Sequence, residues 1–413
     1  MSIPPRVAAA PFQTPAYLYD ERTMQQRCAM VASHLGEHLR LYYAIKANPS
    51  LGVLRALRMH VGGVDISSGI ELERALKTGF DPAHMSFAGP GKSDAELRAA
   101  VLAGVGAISV ESLAEAMRLQ RIARETHRSA NILLRLNPAQ PFPGFAIKMG
   151  GKPTPFGIEE AQAPLAIQQI LDSPGLNLRG FHVYAGTQCL QPQTLIDNFA
   201  YALKMIGQLA ADFHLSPELI NFGGGLGVAY HEGQQELDAA EALPAMCDLF
   251  EQARQSPRLA QCEGIIELGR YLMAEAGWYL TTVTDVKQAH GQTFCVCDGG
   301  MHHYLAASGN FGQVIRKNYR VANLDADAER EVARVTLAGP LCTTLDVLAQ
   351  QAELPVPRVG ERLAILHAGA YGLSASPLLF LSHKTPWEYL LDSQDALQTL
   401  REPVDPSGLG ELG

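Results

Sequence analysis

From about residue 41, short apolar runs alternate with segments whose apolar residues recur every 3.6 positions, and this alternation restricts the chain to few architectures. The runs are Tyr42–Lys46, Val64–Ser67, Ser86–Gly89, Ile108–Glu111, Ile132–Asn137, Phe181–Ala185, Ile220–Gly223 and Ile265–Glu267. Apolar and often β-branched or aromatic, they read as buried strands. The intervening Leu51–Met59, Glu71–Lys77, Asp94–Ala103, Leu113–Arg124, Glu159–Leu171, Leu195–Ala211 and Ala240–Arg254 read as helices. Several are stopped by Gly79, Gly104 or a nearby proline. Eight strands with helical connections predict an α/β protein built on a (β/α)8 barrel rather than an open doubly wound sheet.

Past about residue 270 the helical pattern fades. Trp278–Lys287, Phe294–Cys297, Ala333–Leu337 and Arg362–Leu366 are strand-like, punctuated by Gly and Pro, and predict a C-terminal all-β domain. The strand-like Ala16–Tyr19 is expected to join it. The domains expected are therefore a barrel over residues 36–268 and a β-rich unit from residues 1–35 and 269–413. Pro138–Phe156, rich in Pro and Gly, reads as an ordered loop after the fifth strand, and the tail from Glu402 as loosely ordered.

A chain of 413 residues exceeds what one core usually organises. The net charge of -9 argues against nucleic acid or an anionic membrane as partner. No apolar run reaches the roughly 18 residues of a membrane span, and the N-terminus lacks a signal-peptide core. Seven cysteines, an odd number without scaffold spacing, fit reduced thiols in a cytoplasm. Cys295 and Cys297 would share one face of a strand as a buried pair.

A barrel gathers the C-terminal ends of its strands on one face. Here those ends carry Lys46, Asp65, Glu111, Arg135, His182, Gly223–Gly225, and Glu267 with Arg270. Alone, Lys46 reads equally as a lysine snorkelling from a strand end, and His182 as a satisfied core residue. The set reads differently. Three glycines after the seventh strand expose backbone amides to an anion, at a usual phosphate site of such barrels. A phosphate cradle beside a strand-end lysine suggests pyridoxal phosphate, held through its aldehyde as a Schiff base. Glu267 is the candidate partner for the pyridine nitrogen. Arg270 offers a fork for phosphate or a substrate carboxylate, and His182 could stack on the ring.

These residues fall in motifs that can be placed: Tyr-Ala-Ile-Lys-Ala-Asn (43–48), Ser-Gly-Ile-Glu-Leu (68–72), His182, Gly-Gly-Gly-Leu-Gly (223–227), Glu-Leu-Gly-Arg-Tyr (267–271), Gly-Pro-Leu-Cys (339–342) and Gly-Ala-Tyr-Gly (369–372). Over nearly its whole length the chain resembles the fold-type III pyridoxal-phosphate decarboxylases. These are the ornithine, arginine and diaminopimelate decarboxylases, related in barrel to alanine racemase. The resemblance implies Lys46 as the Schiff-base lysine and His182 against the ring. It implies Gly223, Gly224, Gly225, Gly269, Arg270 and Tyr371 around the phosphate, Glu267 at the pyridine nitrogen, and Asp65 and Arg135 supporting the pocket. It also implies a head-to-tail homodimer in which Cys342 faces the partner's cofactor. A thiol there can protonate the α-carbon after CO2 leaves, whereas a racemase would use a tyrosine. The bland reading of Cys342 is a buried small residue.

Two departures bear on substrate. Diaminopimelate decarboxylases carry a glutamate after the cysteine, but here Cys342 is followed by Thr343-Thr344-Leu345-Asp346. After Asp298-Gly-Gly the chain runs Met301-His-His-Tyr-Leu-Ala-Ala-Ser308, without the arginine-containing stretch of those enzymes. The residues expected around the substrate are Arg270, His302, Thr343, Asp346 and Tyr371. Gly-Pro-Gly-Lys (89–92), Pro141–Pro143, Leu-Cys-Thr (341–343) and Phe-Leu-Ser-His (380–383) resemble a subgroup acting on conjugated amino acids. Its branches act on glutamyl groups on an acyl carrier protein, or on citryl-amino-acid siderophore intermediates. Milder variations are Leu268 for the usual proline and Ala185 for a phosphate-contacting serine. Adjacent histidines on a strand would point to opposite faces, so no metal is expected at His302 and His303. The alternatives are a diaminopimelate decarboxylase with an unusual distal pocket, and a cofactor-free regulatory homologue.

Overall fold

The computed structural model describes residues 3–311 and 316–405. Eight parallel strands close a barrel: β1 (Leu39–Ala44), β2 (Gly63–Ile66), β3 (Met85–Phe87), β4 (Ala107–Val110), β5 (Ala130–Asn137), β6 (Leu176–Val183), β7 (Leu219–Asn221) and β8 (Glu263–Leu268). They are paired in the order β4-β3-β2-β1-β8-β7-β6-β5, and a β4–β5 pairing closes the ring. The two-residue strand Ile158–Glu159 pairs only with the end of β5. Every residue of β2, β3 and β4 is buried, because the barrel interior covers one face and helices the other.

The connecting helices are α1 (Leu51–Leu57), α2 (Gly69–Lys77), α3 (Asp94–Ala103), α4 (Leu113–Thr126), α5 (Ala163–Leu171), α6 (Pro192–Asp212) and α7 (Ala239–Arg254). Ser68, Ser93 and Ser112 cap α2, α3 and α4, each accepting from the amide three residues on. Three expectations shift. Lys46 lies beyond the strand, in a turn over Ile45–Ala47; Pro49 then keeps Asn48 extended before α1 begins. Helix α5 starts at Ala163 rather than Glu159, since Pro164 is tolerated only in the first turn. Pro138–Phe156 is not all loop: Phe145–Lys148 pairs antiparallel with Gly186–Cys189 in a two-stranded ribbon. A helix not anticipated, Glu21–His34, is capped by Asp20.

The β-rich part follows. Its longest strand, Gly277–Ala289, pairs with Ala16–Asp20, Gln292–Cys297 and Arg362–Ile365. Ala16–Asp20 also runs parallel to Trp387–Leu391, which pairs with Leu397–Arg401. Val332–Ala338 links Gln292–Cys297 to Val347–Pro355. Cys295 and Cys297 are both buried and free. Of the C-terminal tail, residues 406–413 lie outside the described residues. Among the described residues no helix is long and apolar enough to cross a membrane.

Candidate active site

The ends of β1, β6, β7 and β8 meet around Lys46. Its ammonium donates to Asp65 Oδ2 at 2.8 Å, and its side chain stays 40% exposed while that of Asp65 is fully buried. Burial works against the lysine's charge. Asp65, Tyr371, Glu267 and Tyr184 outweigh it and hold Lys46 above the ordinary lysine range. The other oxygen of Asp65 is buried without a partner among the described residues.

Glu267, on β8, accepts from the side-chain amide of Asn221 on β7. Burial first, and then the charge of Asp65, push its carboxyl up to about 7. His182, on β6, shares a hydrogen bond between Nδ1 and Ser109 Oγ at 2.8 Å. Its Nε2 has no hydrogen-bond partner among the described residues and lies 4.0 Å from Glu267 Oε2. Burial, then the cations Arg135, Lys46 and Lys92, press its pKa well below the usual value, so the ring is neutral at pH 7.

The loop 223–225 after β7 needs glycine. Gly223 and Gly225 have φ of +61° and +129°, where side chains are rarely tolerated. A Cβ on Gly224 would come within 2.1 Å of the Glu267 carbonyl oxygen, and one on Gly269 within 2.8 Å of Ala47 Cβ. Opposite the loop, Arg270 donates to Tyr230 Oη at 3.1 Å and stacks 4.6 Å over the Tyr371 ring. Tyr371 is tied in by its amide to the Ala47 carbonyl at 2.8 Å. Lys46, Gly224, Gly225, Glu267, Gly269, Arg270 and Tyr371 line one narrow space of about 20 Å³. Arg135 stands further back. It pairs with Glu111 at 2.7 Å, and Glu111 also accepts from the amides of Gly89 and Gly157.

The remaining expected residues form a second cluster in the β-rich part. Cys342 is exposed, Thr343 half-buried, and neither lines the Lys46 space. Asp346, expected around the substrate, belongs to this cluster. It is buried, and its two oxygens accept from the amides of Met301 at 2.6 Å and Leu341 at 2.8 Å. His302 lies here too. It is fully buried, and residues 301–303 form turns rather than a strand, so the His302 and His303 rings meet at a tilt of 42°, centroids 3.7 Å apart, instead of facing apart. Burial pushes His302 down to about 3. Among the described residues no group of three or more His, Cys, Asp or Glu could hold a metal.

Sequence reasoning missed Ser109, Asn221 and Tyr230, the partners of His182, Glu267 and Arg270. A signal existed for Asn221, a polar residue inside the apolar run 219–222 that leads into the glycines.

The model of the pyridoxal-binding domain of pyridoxal-dependent decarboxylases matches residues 21–274. The chain belongs to this family. As a pyridoxal-phosphate-dependent decarboxylase it is 35% identical to the L-glutamyl-[BtrI acyl-carrier protein] decarboxylase of Niallia circulans, over 92% of this chain and 89% of that one. It is 33% identical to the 2-[(L-alanin-3-ylcarbamoyl)methyl]-2-hydroxybutanedioate decarboxylase of Staphylococcus aureus, over 90% and 92%. The structure of diaminopimelate decarboxylase from Helicobacter pylori with L-lysine superposes with a TM-score of 0.86 at 27% identity, covering 97% of both chains. The residues present fit the cofactor: a lysine amine, two glycines of a loop that a Cβ would block and a buried carboxyl near neutrality line one space, and the unpartnered imidazole nitrogen of His182 lies 4.0 Å from that carboxyl.

Proposed function

We propose that this decarboxylase removes the α-carboxylate of an L-amino-acid moiety already joined to a larger group. The group is a carrier-protein-bound glutamyl unit or a citryl-amino-acid siderophore intermediate. One observation carries the reading. Thr343 follows Cys342, and the nearest carboxylate on the loop, Asp346, is committed to the amides of Met301 and Leu341. A free diamino acid would bring a distal ammonium to this loop and find no carboxylate open to it, a loss of several kcal/mol. In a conjugate that end carries no free ammonium. The names of the Niallia circulans and Staphylococcus aureus relatives support the same class.

Pyridoxal phosphate, when bound, supplies a ring that takes up the electron pair left on the α-carbon as CO2 departs. Lys46 would hold its aldehyde, with Asp65 fixing the amine. The amides of Gly223–Gly225, with Arg270, Tyr371 and the close-passing Gly269, would hold its phosphate. Glu267 holds a proton to share with the ring nitrogen, and neutral His182 would lie against the ring. Arg135 keeps Glu111 and its loops in place. Cys342 Sγ would deliver the proton that replaces CO2, with Thr343 beside it. Because Cys342 is exposed and does not line the Lys46 space of its own chain, we assign it to the partner's site in a head-to-tail homodimer. Seven free cysteines fit a cytoplasmic setting.

The test measures CO2 release from the cofactor-loaded enzyme with a carrier-bound glutamyl thioester, a citryl-diaminopropionate and free meso-diaminopimelate. Turnover of one conjugate and little of the free diamino acid is expected. Equal or faster turnover of free meso-diaminopimelate would sink the proposal in favour of the lysine-pathway alternative.

A further inference from the structure

A cavity of about 650 Å³ opens between α1, the end of α2 and the strands Trp387–Leu391 and Leu397–Arg401. It is distinct from the space around Lys46, yet the two share a wall. Lys46 and Tyr371 line the cofactor space, whereas their neighbours Ala47, Asn48 and Gly372 line this cavity. At this junction Gly52 of α1 lies against Leu400, which a Cβ on Gly52 would meet at 2.3 Å.

The charge of the lining is one-sided. Arg55, Arg74, Lys77 and Arg401 face it, against the single carboxylate Glu388. Four cations less one carboxylate leave three positive charges, in a chain whose net charge is -9. Glu388 is already engaged, accepting from Tyr19 Oη at 2.9 Å and lying 3.2 Å from Arg401 Nε. Arg74 gives Nη1 to the Pro49 carbonyl at 2.7 Å. Among the described residues Lys77 pairs only with Glu73, at 3.8 Å and with both side chains about two-thirds exposed, a pair of little worth. Arg55 makes no ion pair among the described residues.

A cation near a helix C-terminus is favoured by the helix dipole, which accounts for Arg55 and for Arg74 with Lys77 taken helix by helix. It does not account for two helix ends and Arg401, from the β-rich part, converging on one opening. Like charges so gathered repel, and an anion between them relieves that repulsion. The volume is that of a small-molecule site.

We propose that this cavity is a second binding site, for an organic anion bearing phosphate or several carboxylates. Arg55 and Lys77 are its charge contacts, Arg401 stays paired with Glu388, and Arg74 fixes the Ala47–Ser50 segment beneath it. The inference does not depend on which amino acid the enzyme decarboxylates.

The test uses the cofactor-loaded enzyme, whose cofactor phosphate site is filled, titrated by calorimetry with pyrophosphate and separately with citrate in phosphate-free buffer. One site per chain is expected. Its affinity should fall about tenfold or more in both Arg55→Glu and Lys77→Glu, with the visible absorbance of the bound cofactor and the melting temperature unchanged. Tighter binding of pyrophosphate assigns a phosphate ligand, and tighter binding of citrate a polycarboxylate. Citrate bound at the substrate site instead would survive both substitutions. Undiminished binding in both variants, or none of either probe at millimolar concentration, overturns the proposal.

Discussion

At the barrel mouth, polar side chains are buried and left waiting; in the loop that carries Cys342, the buried carboxylate is fully occupied. Among the described residues Asp65 keeps one oxygen and His182 one nitrogen without a hydrogen bond, and Glu267 is pushed up to about 7. Each unpartnered buried group costs about 1–3 kcal/mol, and native folds keep few of them. Asp346, by contrast, spends both oxygens on amides and so holds residues 300–301 against 339–341. A site that must receive a ligand leaves atoms unsatisfied, whereas a scaffold that presents one thiol does not. The largest expected effect breaks the first region: Lys46→Ala should lower kcat/KM by about 10⁴-fold or more and abolish the visible absorbance of bound cofactor. Retained absorbance with near-normal turnover would move the chemistry elsewhere.

The second region is broken by Cys342→Ala. The residue is exposed, so the melting temperature should stay within about 2 °C, while kcat falls roughly 10²–10⁴-fold through loss of the general acid. Mixing this variant with Lys46→Ala sharpens the comparison. If amine and thiol come from different protomers, re-assorted dimers contain one intact site in half of the molecules, and activity recovers to about a quarter of normal. No recovery would place both groups in one chain or leave the thiol without a role.

The barrel was legible because its strands are apolar runs and several of its helices stop at glycines such as Gly79 and Gly104, so local and global signals agree. The mouth was legible as a list of strand-end residues, since parallel strands bring those ends together whatever lies between. What escaped depends on side chains meeting across the barrel, such as Ser109 with His182. Lys46 lies past its strand because the chain turns at Ile45–Ala47, a turn that these apolar, strand-like residues do not announce. His302 and Asp346 were expected around the substrate from the runs after Asp298 and Cys342, and only packing shows that both are buried within their own chain.

Glu267→Gln tests whether the strain at the mouth is electrostatic. In the folded chain the carboxyl titrates at about 7, above its unfolded value of about 4.3. Below that lower value both states hold the proton and nothing is lost. As pH rises towards 7 the unfolded chain gives up its proton first, so folding stability falls and then levels off. The cofactor-free glutamine variant should therefore match the parent in urea midpoint at pH 4 and exceed it at pH 8. The loaded variant should lose about 100-fold in kcat, because the ring nitrogen loses its acidic partner. A variant less stable than the parent at pH 8 would show that the carboxylate is stabilised by its surroundings after all.

The smallest effect is expected at His302, which departs from the rule for its region: both ring nitrogens are buried without a hydrogen bond among the described residues. Its pKa, down at about 3, keeps the ring neutral, and its centroid lies 3.7 Å from that of the tilted His303 ring and 5.0 Å from that of His383. If the ring serves only as a packed aromatic, His302→Phe removes two unpartnered polar atoms and adds little volume. Those terms oppose each other, and the melting temperature should shift by no more than about 3 °C, with kcat/KM within about threefold of the parent. A hundredfold loss in kcat/KM, with the fold intact and KM raised, would mean that this buried imidazole reaches the substrate once two chains assemble, and the contrast between a waiting mouth and a self-contained loop would have to be redrawn.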